Sequence, residues 1–194
     1  PSQIVEIGTA RGGLTRMLRD LAPEAAIRTY DIKPCPNIGL LTSLGIDCRV
    51  ADALAEDSHQ ELVELIQRPG TTLIFCDGGN KPAELKAVAS IAKPGDIVLA
   101  HDYATNRQVF KAKIQGKRWN WCEITDADLP AAGIKAVDSL MLRNAMWFCG
   151  VVQPLSLTTN QSPSIGQSGS CMELKPTACI LEQGFKCWLT NGRQ

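Results

Sequence analysis

Short apolar runs alternate with segments of helical periodicity along the N-terminal half of the chain. Gln3 to Ile7 forms the first apolar run, and apolar residues from Leu14 to Leu21 then recur at helical spacing before Pro23. The same alternation repeats until the apolar run Ile97 to His101. Strands that alternate with helices favour right-handed β-α-β crossovers. The sequence therefore predicts an α/β fold, a doubly wound, mostly parallel Rossmann-like sheet with helices on both faces.

The boundaries follow from the apolar runs and from the Pro and Gly residues between them. The later predicted strands are Ala26 to Ile32, Cys48 to Ala51, Thr71 to Cys76 and Ile97 to His101. The later predicted helices are Ile38 to Leu44, Glu61 to Ile66, Pro82 to Ala92 and Asn106 to Ile114. Two further strand-like segments, WNWCEI and AMWFCGVV, are separated by a stretch rich in Asp, Pro and Gly. They predict an antiparallel pair at the sheet edge.

The domain organisation follows from length and composition. A chain of 194 residues is long enough for one packed domain and too short for two of ordinary size. We expect one domain over residues 1–152 and a flexible or irregular tail over 153–194, where Ser, Thr, Gln, Pro and Gly become frequent. The chain starts at Pro1 with the first strand following at once, so we expect that residues preceding Pro1 are missing.

Charge and hydropathy exclude several classes of partner. Lys plus Arg and Asp plus Glu balance at 20 each, which argues against a nucleic-acid partner. No apolar run reaches the roughly 18 residues that cross a bilayer, and the start lacks the features of a secretory signal, so we expect a cytoplasmic protein without a membrane partner. The eight cysteines include no C-x-x-C pair. Since Cys48, Cys76, Cys122 and Cys149 lie alone in apolar segments, we expect structural thiols.

Chemistry-bearing residues follow each of the first five predicted strands. In an open parallel sheet these positions meet at one edge, where ligands bind. In chain order they are the turn Gly8 to Gly13, Asp31, Asp52, Asp77, and His101 with Asp102. This coincidence predicts a ligand site at the carboxyl edge of the sheet.

The segment VEIGTARGG indicates which ligand the site takes. Gly8-x-Ala10-x-x-Gly13, with Asp31 about 20 residues on, nearly fits the dinucleotide-binding fingerprint. Glu6, however, would repel a pyrophosphate and favours a phosphate-free, cationic cofactor such as S-adenosylmethionine. An NAD-dependent oxidoreductase is the alternative, and the chain lacks the Tyr-x-x-x-Lys pair of one large class of such enzymes.

VEIGTARGG, the acids in TYDIK and VADAL, FCDGG and AHDY resemble the successive motifs of class I S-adenosylmethionine-dependent methyltransferases. Within that class they look most like the metal-assisted O-methyltransferases of the macrolide-sugar and cephalosporin-tailoring type. The resemblance covers about residues 3 to 152. It implies the seven-stranded methyltransferase sheet and methyl transfer to a small-molecule or sugar hydroxyl.

The resemblance also implies the cofactor-binding residues. The backbone of the glycine turn would approach the methionine part of the cofactor, and Glu6 would lie near the ammonium of that part. The turn residues concerned are Gly8, Thr9, Ala10 and Gly12. Asp31 would bind the ribose hydroxyls, and Asp52 would face the adenine amino group with Ala53 or Leu54 against the ring.

The remaining implied residues carry the reaction. Asp77, beside the cofactor, would ligate a divalent metal such as Mg²⁺ or act as a base, and Asp102 would be the second metal ligand. The relatives have another acid where His101 stands, which removes one carboxylate from the set. Without a metal, His101 could serve as the base.

Structural interpretations stand beside these functional ones. Asp52 is also typical of a helix cap, Asp77 of a turn, and Asn80 either caps the following helix or lines the pocket with Lys81. The aromatic residues of the two late segments favour core or subunit packing, so a homo-oligomer stays open, and Tyr103 could touch the acceptor. His59 has no predicted role. A domain that binds the cofactor without catalysis is a further alternative, and no motif identifies the methyl acceptor.

Overall fold

The computed structural model describes residues 1–129 and 133–154. One compact unit runs from Pro1 to Gln153. The predicted tail from residue 153 onward lies almost wholly outside the described residues. Within the described part, no helix combines the length and the apolar character that a membrane crossing requires.

Seven strands form one sheet, and this architecture confirms the predicted fold class. The strands are β1 (Gln3–Ile7), β2 (Ala26–Asp31), β3 (Asp47–Val50), β4 (Thr72–Cys76), β5 (Ile97–Ala100), β6 (Ile134–Ala136) and β7 (Phe148–Val152). Their order across the sheet is β3-β2-β1-β4-β5-β7-β6. The first five strands are parallel, whereas β7 runs antiparallel to both β5 and β6.

Helices connect the parallel strands, and short polar residues fix where two of them begin. The helices are α1 (Gly13–Leu21), α2 (Ile38–Ser43), α3 (Glu56–Ile66), α4 (Lys81–Ile91), α5 (Arg107–Lys113) and α6 (Leu140–Asn144). The side chain of Asn80 accepts a hydrogen bond from the backbone N–H of Ala83 at the start of α4. Asn106 caps α5 through Val109 in the same way. The cap predicted at Asn80 is therefore present.

The core is centred on β1 and β4. Every residue of these two strands is buried, as expected for central strands of a sheet covered on both faces. The cysteines that the structure describes are all free thiols, including the four for which a structural role was predicted. Burial raises the pKa of Cys149 to about 12, so this thiol stays protonated at neutral pH.

The prediction that WNWCEI forms a strand at the sheet edge is wrong. Residues 119–124 form only isolated bridges, and the edge partner of β7 is instead β6. The segment packs on the chain that follows β5, because the N–H groups of Glu123 and Ile124 both donate to the carbonyl of Asp102. The alternation of its aromatic residues does not come from a strand. The indole N–H of Trp119 donates a hydrogen bond to Asp102, whereas Trp121 is 61% exposed to solvent.

The strand order positions the site. The chain moves outward from β1 to β3, returns to the other side of β1 at β4, and continues to β5. Right-handed crossovers then put the helices of the two halves on opposite faces. A crevice opens at the carboxyl ends of β1 and β4, where the order reverses, and this is the usual ligand position in such sheets.

Candidate functional site

The turn after β1 lies tightly against the end of β4. Gly8 has φ +102°, and a Cβ atom there would lie 2.2 Å from the carbonyl oxygen of Asp77. The N–H groups of Gly8 and Thr9 both donate to the carbonyl of Tyr30 at the end of β2. At Gly12, with φ +80°, a Cβ would lie 2.8 Å from a methyl carbon of Leu41. The turn thus depends on glycine to approach its neighbours so closely.

Glu6 lies fully buried on β1, with 0% of its surface exposed. Its Oε2 accepts hydrogen bonds from Thr15 at 2.5 Å and from Thr29 at 2.6 Å. Thr9 Oγ1 lies 2.6 Å from Thr29 Oγ1 and so joins the glycine turn to this network. Burial raises the pKa of Glu6 to about 7, although the two threonine hydrogen bonds oppose the shift.

A pocket of about 250 Å³ lies at the carboxyl ends of β1 to β4. It is lined by Ile7, Gly8, Tyr30, Asp31, Ile32, Ala51, Asp52, Ala53, Leu54, Gly79, Asn80 and Glu84. Four of the predicted cofactor residues, Gly8, Asp31, Asp52 and Ala53, belong to this lining. The others, Glu6, Thr9, Ala10, Gly12 and Asp77, do not, although the turn residues adjoin it in the chain.

The two carboxylates predicted to hold the nucleoside are braced by the backbone. Asp31 Oδ2 accepts from the N–H of Ala10 at 2.8 Å, and its Oδ1 accepts from the N–H of Lys33. Asp52 Oδ1 accepts from the N–H of Leu54 at 2.9 Å. Asp52 therefore closes a local turn and lines the pocket at once, but it does not cap α3, whose N-cap is Ala55.

Glu84 is a buried lining residue that the sequence analysis missed. Its carboxylate accepts from the N–H groups of Gly78 and Asn80, which shapes the loop after β4. Burial raises the pKa of Glu84, and these backbone hydrogen bonds oppose the change. Its position in α4, four residues after a cap, is the only sequence signal that could have indicated this contact.

Asp77, His101 and Asp102, the three predicted catalytic residues, form a second cluster. Nδ1 of His101 lies 3.2 Å from Asp77 Oδ1 and 3.4 Å from Asp102 Oδ1. The imidazole also contacts two indoles, with ring centroids 5.3 Å from Trp119 and 4.7 Å from Trp147. The structure therefore brings together the residues that follow β4 and β5.

Asp102 is held in an uncommon backbone conformation. Its φ is +58°, in the left-handed region that non-glycine residues seldom adopt. Its carbonyl accepts from Glu123 and Ile124, and its Oδ1 accepts from the indole N–H of Trp119 at 2.5 Å. Such strain, of about 1 kcal/mol or more, is frequent at functional sites. The 119–124 segment therefore fixes the position of this carboxylate.

Lys81 lies among these acids, and only 5% of it is exposed. Its Nζ lies 2.8 Å from Asp102 Oδ2, 3.2 Å from Glu123 Oε1 and 3.8 Å from Asp77 Oδ1. Burial lowers the pKa of Lys81, but Asp102, Asp77 and Glu123 together outweigh this effect and leave that pKa raised. The sequence placed Lys81 near the pocket but did not pair it with the acids, and it missed Glu123.

The fit of a divalent metal to this cluster can be tested on its donor atoms. Asp77, His101 and Asp102 each offer one ligand atom, and these atoms all lie within 4.8 Å of one another. Two of the three donors are carboxylates, which suit Mg²⁺, but the Asp102 carboxylate already pairs with the ammonium of Lys81. The residues present therefore do not fit a divalent ion while Lys81 stays in place.

A second cavity, of about 320 Å³, is lined by residues that follow β5 and by two residues of α6. Its lining comprises Tyr103, Ala104, Thr105, Val109, Lys113, Ile114, Arg118, Arg143 and Asn144. The hydroxyl of Tyr103 donates to Asp126 at 2.5 Å. Burial and this acceptor raise the pKa of Tyr103 to about 12. Tyr103 is therefore a neutral hydrogen-bonding group near the end of β5.

Comparison with known proteins gives distant similarities only. No protein-family model matches the sequence, and no curated protein matches it significantly. The solved structures that resemble the chain include the antibiotic-resistance methyltransferase Kmr, at 16% identity and a TM-score of 0.46, over 79% of this chain and 87% of that one. The O-methyltransferase TomG from Streptomyces achromogenes, in complex with SAM, is similar at 16% identity and a TM-score of 0.44. This similarity covers 79% of this chain and 74% of that one. A fibrillarin/Nop5p complex is similar at 16% identity and a TM-score of 0.49, over 78% of this chain and 72% of that one.

Proposed function

We propose that the protein is an S-adenosylmethionine-dependent methyltransferase that acts on a hydroxyl group of a small molecule or sugar. The observation that carries this proposal is the charge of the 250 Å³ pocket. Its described lining contains three carboxylates, Asp31, Asp52 and Glu84, and no lysine or arginine. A dinucleotide would bring two phosphates to this surface and be repelled. A nucleoside with a sulfonium and an ammonium group, and no phosphate, has the complementary charge.

The position of the carboxylates supports the same cofactor. Asp31 lies at the end of β2, where an acid can accept hydrogen bonds from ribose hydroxyls. Asp52 lies at the end of β3 with Ala53 beside it, which provides an acceptor for the adenine amino group and an apolar contact for the ring. Glu6 is buried on β1 and does not line the pocket, so its carboxyl adds negative charge near the methionine ammonium only in the ionised form.

The transfer itself needs alignment and the removal of one proton. The methyl group moves from the sulfonium sulfur to the acceptor oxygen, the carbon–sulfur bond breaks as the carbon–oxygen bond forms, and S-adenosylhomocysteine leaves. His101 is the base in this proposal. Its Nδ1 faces Asp77 and Asp102, which favours the proton on Nδ1 and leaves Nε2 to accept the hydroxyl proton.

Metal assistance is the variant of this reaction that the sequence resemblance implies. Asp77 and Asp102 would be the ligands, His101 is close enough to be a third, and the ion would lower the pKa of the acceptor hydroxyl. The position of Lys81 disfavours metal assistance, because its ammonium already pairs with the carboxylates that such an ion would need.

Two titrations and one assay test the proposal. We expect S-adenosylhomocysteine to bind in calorimetry and NAD not to bind, and the Asp31→Asn variant to bind the former more weakly. Tight NAD binding without S-adenosylhomocysteine binding would overturn the proposal in favour of an oxidoreductase. Transfer of a labelled methyl group is then measured on a panel of hydroxyl acceptors. Binding without transfer to any acceptor would favour a cofactor-binding domain that lacks catalysis.

A further inference from the structure

We propose that the ammonium of Lys81 is the resident cation of the acidic cluster, in place of the divalent metal that the sequence resemblance implies there, and that the protein works without such a metal. The first part rests on geometry alone. The second part rests on the proposed methyl transfer.

The contacts of Lys81 account for all of its hydrogen-bonding capacity. An ammonium has three N–H donors, and Nζ has three close acceptors, at 2.9 Å from the carbonyl of Gly78, 2.8 Å from Asp102 and 3.2 Å from Glu123. Asp77 adds a third carboxylate at 3.8 Å. The side chain is therefore enclosed by oxygen atoms, as a bound metal ion would be.

The fold delivers Lys81 to this place by a rigid route. Lys81 is the first residue of α4, directly after the Asn80 cap, so its backbone is fixed by the start of the helix. A cation is disfavoured at a helix N-terminus, where the helix dipole is positive. The three carboxylates compensate for this effect, which explains why a lysine is stable at this buried position.

A metal ion and this ammonium compete for the same carboxylates, those of Asp77 and Asp102. Mg²⁺ or Mn²⁺ would need to lie about 2.1 Å from the carboxylate oxygens of Asp77 and Asp102. An ion bound to Asp102 Oδ2 would lie at most about 5 Å from Nζ, because Nζ is itself 2.8 Å from that oxygen. Two cations at that distance repel each other, and the burial of Lys81 and Asp102 strengthens the repulsion. Lys81 therefore excludes the ion and supplies its positive charge.

The role that follows for Lys81 is a positioning role. It ties Asp102, at the end of β5, to Glu123 and to the Gly78 carbonyl after β4. Asp77 and Asp102 both face His101, so the lysine keeps the two carboxylates in place around the imidazole. It does not touch the reacting atoms in this proposal.

Mn²⁺ binding, followed by electron paramagnetic resonance and calorimetry, tests the proposal independently of methyl transfer. We expect the wild-type protein to show no saturable Mn²⁺ binding up to about 1 mM, whereas Lys81→Ala, which frees three carboxylates, binds Mn²⁺ at least tenfold more tightly. Lys81→Arg keeps a cation and should stay without metal. Lys86→Ala, an exposed lysine on the same helix, is the matched control and should behave as the wild type.

Several results would overturn the proposal. One is saturable Mn²⁺ binding by the wild-type protein that disappears in Asp102→Asn, and this measurement does not require the Lys81 variants to fold. Another is a folded Lys81→Ala variant that binds no Mn²⁺, since the acids would then not form a cation site at all. A third is loss of wild-type methyl transfer in EDTA with recovery on Mg²⁺ addition. Failure of the S-adenosylhomocysteine titration would instead refute the proposed function and leave the Mn²⁺ results standing.

Discussion

Thr29 donates a hydrogen bond to Glu6 across the β1–β2 pair, with 2.6 Å between the hydroxyl oxygen and Oε2. The two residues are direct partners in the parallel register. Oε1 of the same carboxyl has no hydrogen-bond partner among the described residues. A fully buried carboxyl with one unsatisfied oxygen favours the protonated form, and this makes the stability of the fold depend on pH.

We expect the free energy of unfolding to fall between pH 5 and pH 8 through this group. Burial raises the pKa of Glu6 from 4.5 in the unfolded chain to about 7 in the folded one. Below pH 4.5 both states are protonated and the group costs nothing. Between the two pKa values only the unfolded state loses its proton, so stability decreases as pH rises, by about 3 kcal/mol in all. Urea unfolding at several pH values measures this slope.

The Glu6→Gln variant isolates the contribution of Glu6 from that of other titrating groups. Its amide cannot ionise, so the free energy of unfolding of the wild type, relative to that of the variant, should fall by about 3 kcal/mol as pH rises. Asp57→Asn, on the exposed first turn of α3, serves as the control with no such change. A wild-type and Glu6→Gln pair with parallel pH profiles would show that Glu6 keeps one protonation state throughout.

Gly8→Ala should destabilise the protein and abolish cofactor binding. The new methyl group would meet the Asp77 carbonyl, and the backbone would have to leave φ +102°. We expect a loss of at least about 2 kcal/mol in urea unfolding. Gly13→Ala is the control, because a Cβ there meets nothing within 4 Å and alanine favours the helix that starts at this residue. Equal stability of the two variants would contradict the close approach at Gly8.

Asp31→Asn should weaken S-adenosylhomocysteine binding by about tenfold, measured by calorimetry. The variant loses the charge of the acceptor for the ribose hydroxyls, worth about 1.5 kcal/mol, whereas its amide oxygen can still accept from the N–H of Ala10. Asp52→Asn should have a smaller effect, because in the proposed complex it accepts one hydrogen bond from the adenine amino group, whereas Asp31 accepts from two ribose hydroxyls. A larger loss at Asp52 than at Asp31 would reverse the assignment of ribose and adenine ends.

His101→Gln should lower kcat by about a hundredfold or more while leaving S-adenosylhomocysteine affinity unchanged. The expected loss is that of a general base in a reaction whose methyl donor is already activated. The other histidine of the chain provides a matched control, since His59 lies on α3 and away from the cluster residues. Full activity of His101→Gln would move the role of base to Asp77.

The sequence predicts the parallel half of the sheet because each central strand is a continuous buried run with a glycine or carboxylate at its end. β1 and β4 are buried throughout, so their apolar pattern is unambiguous. The edge pair is harder, since β6 has only three residues and its partner contacts are not local. WNWCEI has the alternation of a strand, but its alternation arises from a loop that packs against Asp102.

The candidate site likewise contains some residues that could be predicted from the sequence and others that could not. Asp77, His101 and Asp102 could be predicted to meet, because strand ends share an edge. Lys81, Glu123 and Trp119 could not be assigned to the cluster, because a polar residue after a strand or in a loop has the same sequence pattern whether it faces solvent or a buried acid. Hydrogen bonds from Glu123 and Ile124 to the Asp102 carbonyl, between residues distant in the sequence, bring the last two to the site.

The loop after β4 serves two places within five residues. Gly79 and Asn80 line the pocket, whereas Asp77 and Lys81 on either side hold the acidic cluster. If the pocket binds the proposed cofactor, a displacement of Gly79 or Asn80 would be passed to Asp77 and Lys81 through the shared backbone. Substitutions in this span are therefore expected to change the shape of the pocket and the geometry of the acidic cluster together.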